Sequence, residues 1–140
     1  MKILFWCPHV NLGGGVRLLA RLIAAVAAQP GVERVRCAAW KEDLGRLEPL
    51  LAPQANLERF AIRSGFAHTW WHRSGRLFGI RGTGVIRRLL RRLAQHRNRV
   101  RLKREFRRAA ADCDLAYVFW PHQLGVPATA KPLVCTIHDT

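Results

Sequence analysis

Gly13, Gly14 and Gly15 stand between an apolar run, Lys2 to Cys7, and an amphipathic stretch that begins at Val16. Consecutive glycines at such a junction let the chain turn tightly. They also leave backbone N–H groups uncovered at the positive end of a helix dipole, where anions bind. An ordinary tight connection would use the same residues, and the run lacks the GxGxxG spacing of a dinucleotide fingerprint. Other polar groups suited to chemistry follow apolar runs: His9 after Pro8, His122 after Pro121, and His138-Asp139 after Ile137. Imidazoles gathered beside bare amides and Trp120 would form a polar ligand site with an aromatic wall.

Other chemistries find less support. Cys7, Cys37, Cys113 and Cys135 lie far apart with no CxxC pair, which reads as reduced cysteines of a cytoplasmic protein. A zinc site built on Cys135 and His138 would need both on one face, whereas an extended strand turns them to opposite faces. No nucleophile–base pair or metal-ligand cluster stands out. The net charge of +15 comes from 24 Lys and Arg, 20 of them Arg, against 9 Asp and Glu. Such an excess calls for an anionic partner: nucleic acid, a phospholipid surface or a phosphorylated small molecule. It is densest from Arg87 to Arg108, where eleven basic residues face a single acid, Glu105.

The elements that must position these groups alternate. Lys2 to Cys7 is apolar at nearly every position, which suits a strand covered on both faces. Leu18, Leu19, Leu22, Ile23 and Val26 fall on one face of the helix that follows, with Arg17 and Arg21 on its flank. Gln29-Pro30-Gly31 stops that helix. Glu33 to Trp40 reads as a second strand, Lys41 to Leu51 as a short helix and Leu57 to Ile62 as a third strand. Arg63 to Gly82, with four glycines and Trp70-Trp71, has no steady period. A long excursion of this kind is either functional or an ordinary helical insertion.

Thr83 can cap the next helix. Val85, Ile86, Leu89, Leu90 and Leu93 line one side of it, opposite Arg87, Arg88, Arg91 and Arg92. Leu102 and Phe106 fall on a different face, which predicts a bend or break near His96 to Arg99. Asp114 to Trp120 and Pro132 to Ile137 complete five strands. The expected fold is therefore α/β: one domain with a doubly wound, mostly parallel, Rossmann-like sheet of order 3-2-1-4-5. That order makes the first and fourth strands neighbours and brings His9–Gly15, Trp120–His122 and His138-Asp139 to one edge. The apolar run after Lys2 is too short for a signal peptide, and Arg21 interrupts the first helix well short of the ~20 apolar residues of a membrane span.

Two stretches, Lys2 to Ala28 and Asp114 to Thr140, resemble the amino-terminal domain of retaining glycosyltransferases with two Rossmann-like domains (GT-B), especially the glycogen-synthase-like group. The resemblance lies in the strand-Pro-x5-Gly-Gly opening, the DLAYVFWPH strand and the following KPLVCTIHDT. It implies that Gly13, Gly14 and Gly15 approach the donor's diphosphate and the acceptor. It implies that His138 lies against the transferred sugar, with Asp139 as an architectural neighbour and His122 as a further contact. The donor is a nucleotide sugar used as substrate, with no separate cofactor, and the acceptor is a glycan or a lipid-linked molecule. Most donor contacts in such enzymes, including a Glu-x7-Glu motif, belong to a second, carboxy-terminal domain. Nothing in these 140 residues supplies that motif, so the chain is expected to be an incomplete piece of a transferase, inactive alone.

Arg87, Arg88, Arg91 and Arg92, with Phe66, Trp70, Trp71 and Phe78, suit peripheral contact with an anionic membrane surface. The alternative is an arginine-rich α/β protein that binds nucleic acid. Against it, the sequence contains no helix-turn-helix, zinc finger or aromatic-basic RNA-binding strand.

Overall fold

The computed structural model describes residues 1–8, 14–51, 53–63, 84–119 and 127–136. Five strands, β1 (Lys2–Trp6), β2 (Arg34–Trp40), β3 (Leu57–Ile62), β4 (Leu115–Val118) and β5 (Leu133–Cys135), form one sheet in the order β3-β2-β1-β4-β5. Every adjacent pair is parallel. The fold is thus the expected Rossmann-like one. Helices α1 (Gly14–Ala27) and α2 (Lys41–Leu47, continued by a 3-10 turn at Glu48–Leu50) precede the long α3 (Gly84–Ala110).

Alternation along the central strands builds two cores. Ile3, Phe5 and Cys7 of the first strand segment join Val35, Cys37 and Ala39 on one face, covered by α1 and by Leu47. Leu4 and Trp6 join Ala38 and Trp40 on the other, covered by Leu102, Phe106, Ala109 and Ala110 of α3. Parallel strands need crossover helices on both faces, which is why β1 from Ile3 to Trp6 and β2 from Cys37 to Trp40 are apolar at every position. The edge strand β5 departs from that pattern: it spans three residues, and Val134 is 45% exposed.

Within α1 the buried face is Val16, Leu19, Ala20, Ile23 and Ala27, while Leu18 is 49% exposed. The two alanines let the helix axis approach the sheet, and Leu18 lies off that stripe. The chain leaves α1 through Gly31, whose φ of 84° only glycine adopts without strain. Asn56 closes this helix end by donating to the carbonyls of Ala27 (2.9 Å) and Val32 (3.2 Å). Lys131 does the same for α3, its ammonium donating to the carbonyls of Ala110 (2.6 Å), Ala111 (2.9 Å) and Cys113 (2.5 Å). A cation is favoured there by the negative end of the helix dipole.

The expected break near His96 to Arg99 is absent, and α3 is one helix from Gly84 to Ala110. No proline or glycine lies between Val85 and Ala110 to interrupt it. The change of apolar face has another cause. A helix of this length spans about 40 Å, against roughly 10–24 Å for strands of three to seven residues. Among the described side chains of α3, burial begins at Leu102, while Leu93 is 54% and Val100 is 56% exposed. Thr83 and residues 64–82 lie outside the described residues.

Candidate functional site

Three strands end level with one another. Trp6 is in register with Val118, and Val118 with Cys135. Backbone bonds from Phe119 N–H to the Trp6 carbonyl (3.2 Å) and from Thr136 N–H to the Val118 carbonyl (3.4 Å) close the ladder at this edge. The segments that follow β1, β4 and β5 therefore leave the sheet side by side, at the carboxyl edge beside the topological switch point, where open α/β sheets bind ligands. Cys7 and Pro8 are buried as the first of them departs.

Helix α1 begins at the same edge. Gly14 opens it, Gly15 stands half-buried in its first turn, and that turn contains no acidic side chain. The first-turn N–H groups of a helix lack intrahelical partners, so this end presents the positive pole of the helix dipole, which favours an anion. Gly13, His9, His122, His138 and Asp139 lie outside the described residues, as does the Trp120 side chain. What converges is the set of departure points for the three segments that contain them.

Below the edge, aromatic side chains pack together. The rings of Phe5 and Tyr117 are 5.0 Å apart, and the Tyr117 hydroxyl hydrogen-bonds Thr136 Oγ1 across β4 and β5. Burial pushes the Tyr117 phenol up, with Cys7 and Cys135 nearby adding to the shift, so it stays protonated at neutral pH. Burial also pushes the Cys7 thiol up, reinforced by Cys37 on the neighbouring strand. A buried neutral thiol is a packing group, not a nucleophile. All four cysteines are free: Cys7, Cys37 and Cys113 are buried, and Cys135 is half-buried. Among the described residues no group of three His, Cys, Asp or Glu side chains could hold a metal ion.

The opposite edge of the sheet is occupied by an ion network. Arg36 donates to Glu58 Oε2 (2.9 Å), the Ala109 carbonyl (2.6 Å) and Asp112 Oδ1 (2.6 Å), and Arg34 also pairs with Asp112. This cluster ties β2 and β3 to the end of α3 and stands apart from the carboxyl edge.

The arginines singled out for anion contact divide along α3. Arg92 is exposed, and the side chains of Arg87, Arg88 and Arg91 lie outside those described. A second set had no signal of its own in the arginine run. Arg97, Arg101, Arg104 and Arg108 share a helix face that, with Arg63 after β3, lines a groove of about 700 Å³. Arg63 is far away in sequence, so only the packing of α3 beside the β3 end assembles this group. No described helix is long and apolar enough to cross a membrane. No protein-family model, curated protein or solved structure matches the chain.

Proposed function

We infer that this domain is the acceptor-side half of a GT-B-type retaining glycosyltransferase, which passes a sugar from a nucleotide-sugar donor to a glycan or lipid-linked acceptor. One observation supports it above the others. In the β3-β2-β1-β4-β5 sheet, the glycine segment and both histidine-bearing segments depart from neighbouring strand ends. The motifs of the resemblance thus belong to chain segments that start at one ligand-binding edge.

In this reading Gly13, Gly14 and Gly15 offer backbone N–H groups to negative charge developing on the departing diphosphate. Such donors contribute most in a closed site that excludes water. His138 orients the transferred sugar, Asp139 braces it and His122 adds a polar contact. A second Rossmann-like domain provides the opposing wall and most donor contacts. The first half of α3, with Arg87, Arg88, Arg91 and Arg92, faces an anionic membrane on the cytoplasmic side and recruits the acceptor.

The test is a transfer assay with radiolabelled nucleotide sugars. The 140-residue chain alone is expected to give no turnover, because its half-site cannot close over the diphosphate. When the domain is joined to its donor-binding partner, His138→Ala should lower kcat about 100-fold through loss of orientation. The same variant should leave the thermal midpoint unchanged, since position 138 follows the last strand. Turnover by the chain alone would mean that the active site is misplaced, and an unaffected variant would remove His138 from the mechanism.

A further inference from the structure

The groove between the end of β3 and α3 has a chemistry of its own. Its walls include Arg63, Arg97, Arg101, Arg104 and Arg108, with one acid, Glu105. Glu105 is buried, and its Oε1 accepts a 3.0 Å hydrogen bond from Arg108. Its Oε2 is buried with no hydrogen-bond partner among the described residues. That carboxylate braces Arg108 from within the helix surface. Arg63, Arg97 and Arg104 are exposed and pair with no acid among the described residues.

Like charges concentrated in one concavity repel one another, and low-dielectric walls intensify the field between them. Charge of this density in a groove, as distinct from a convex helix face, favours a ligand that brings several negative charges at once. Guanidinium groups bind phosphate oxygens through paired N–H donors, which distinguishes this wall from a lysine patch. A groove of about 700 Å³ lies within the range of small-molecule sites. It has room for an organic body beside the phosphate. Val100 also lines it and is 56% exposed, adding apolar surface between the charged groups.

We propose that this groove is a binding site for a compact, multiply charged phosphate group, a diphosphate or a phosphomonoester with an attached organic body. It is built from other residues than the candidate site at the ends of β1, β4 and β5 and does not depend on the sugar-transfer reading. Arg97 and Arg104, two helical turns apart on the same face, supply principal contacts, and Arg63 closes the groove from the sheet side.

The experiment is calorimetric titration of the 140-residue chain with inorganic pyrophosphate at low ionic strength. Saturable one-to-one binding is expected, weakened about tenfold or more by the double substitution Arg97→Ala, Arg104→Ala, which removes charge-assisted bonds. A control pair with the same change of charge, Arg21→Ala and Arg46→Ala on α1 and α2, should weaken it about twofold at most, through the general field alone. Circular dichroism of both pairs checks that the fold is retained; all four residues are exposed. Equal losses in the two pairs, or binding with no saturable single site, would overturn the proposal.

Two further arms identify the source. Phosphatidylcholine vesicles carrying phosphatidic acid should capture the chain in a manner that pyrophosphate reverses and the groove pair abolishes, if the phosphate is a lipid headgroup. Vesicle capture indifferent to the groove pair, alongside groove-dependent pyrophosphate binding, marks a free phosphorylated ligand. Duplex DNA that binds more tightly than pyrophosphate, and loses that affinity in the groove pair, would assign the groove to nucleic acid and sink the proposal.

Discussion

Arg36 lies in the second strand with its side chain 8% exposed, held between Glu58 and Asp112, which are 41% and 48% exposed. Its hydrogen bonds, foremost, and then those of Arg34 hold the Asp112 carboxyl far below the usual carboxylate range. A carboxyl with a lowered folded-state pKa contributes stability that is fully present above its unfolded value. That contribution is lost as pH falls from about 4 through the folded value. Acid should therefore destabilise the protein progressively below about pH 4, and Asp112→Asn should flatten that slope, as read from urea midpoints measured across pH. Arg36→Met should cost about 2–3 kcal/mol at neutral pH. That is less than a fully buried pair would lose, because water still reaches both acids. A neutral-pH loss below about 0.5 kcal/mol would show the network to be a solvated surface cluster.

At the scale of elements, α3 joins two different environments. Its second half is anchored by Leu102, Phe106, Ala109 and Ala110 and closed by Lys131, while the described side chains from Arg92 to Val100 are exposed or, at Asn98, half-buried. A helix segment without tertiary packing is only marginally stable, since most helical stability comes from its buried face. Amide hydrogen exchange should be faster over residues 96–100 than over residues 102–110. Equal protection of the two segments would show that residues 96–100 are covered in solution. The same helix marks where the sequence was legible and where it was not. Strand alternation and the glycine and proline stops locate five strands and their order, because burial on two faces leaves a near-continuous apolar signature in β1 and β2. The switch from the Val85–Leu93 stripe to Leu102 and Phe106 suggested a break, because sequence periodicity records which residues are apolar and not whether one helix runs through two stripes. Leu18 misled for a related reason: it neighbours the buried stripe but lies beyond the sheet-facing arc. The candidate edge was legible because it follows from strand order. The groove was not, because Arg63 meets Arg97 and Arg104 only through packing, and a helical arginine run looks the same whether its face is convex or walled.

The whole molecule carries a net charge of +15, and the dense part of that charge is helical. Arg87–Arg91, Arg88–Arg92, Arg97–Arg101 and Arg104–Arg108 are like-charged neighbours four residues apart, each costing roughly 0.2–0.5 kcal/mol at low salt. Favourable pairs such as Arg46–Asp43 and Arg59–Glu48 involve exposed or partly exposed side chains. Pairs of that kind contribute about 0–1 kcal/mol each. Screening weakens both sets, but repulsion acts between many charges at longer range and so loses more. The Debye length shortens from about 20 Å near 20 mM salt to about 6 Å near 300 mM, which leaves adjacent pairs partly intact while removing the long-range field. The urea midpoint should therefore rise over that span of sodium chloride; guanidinium denaturation would mask the effect, being itself a salt. Arg99→Glu sharpens the test. It removes one exposed cation outside the phosphate groove and places a carboxylate four residues before Lys103, the favourable orientation on a helix. The variant should be more stable than the parent at low salt by about 0.5 kcal/mol and less dependent on salt thereafter. A midpoint that falls with salt in the parent, or a variant less stable than it, would mean that local ion pairs outweigh the collective repulsion.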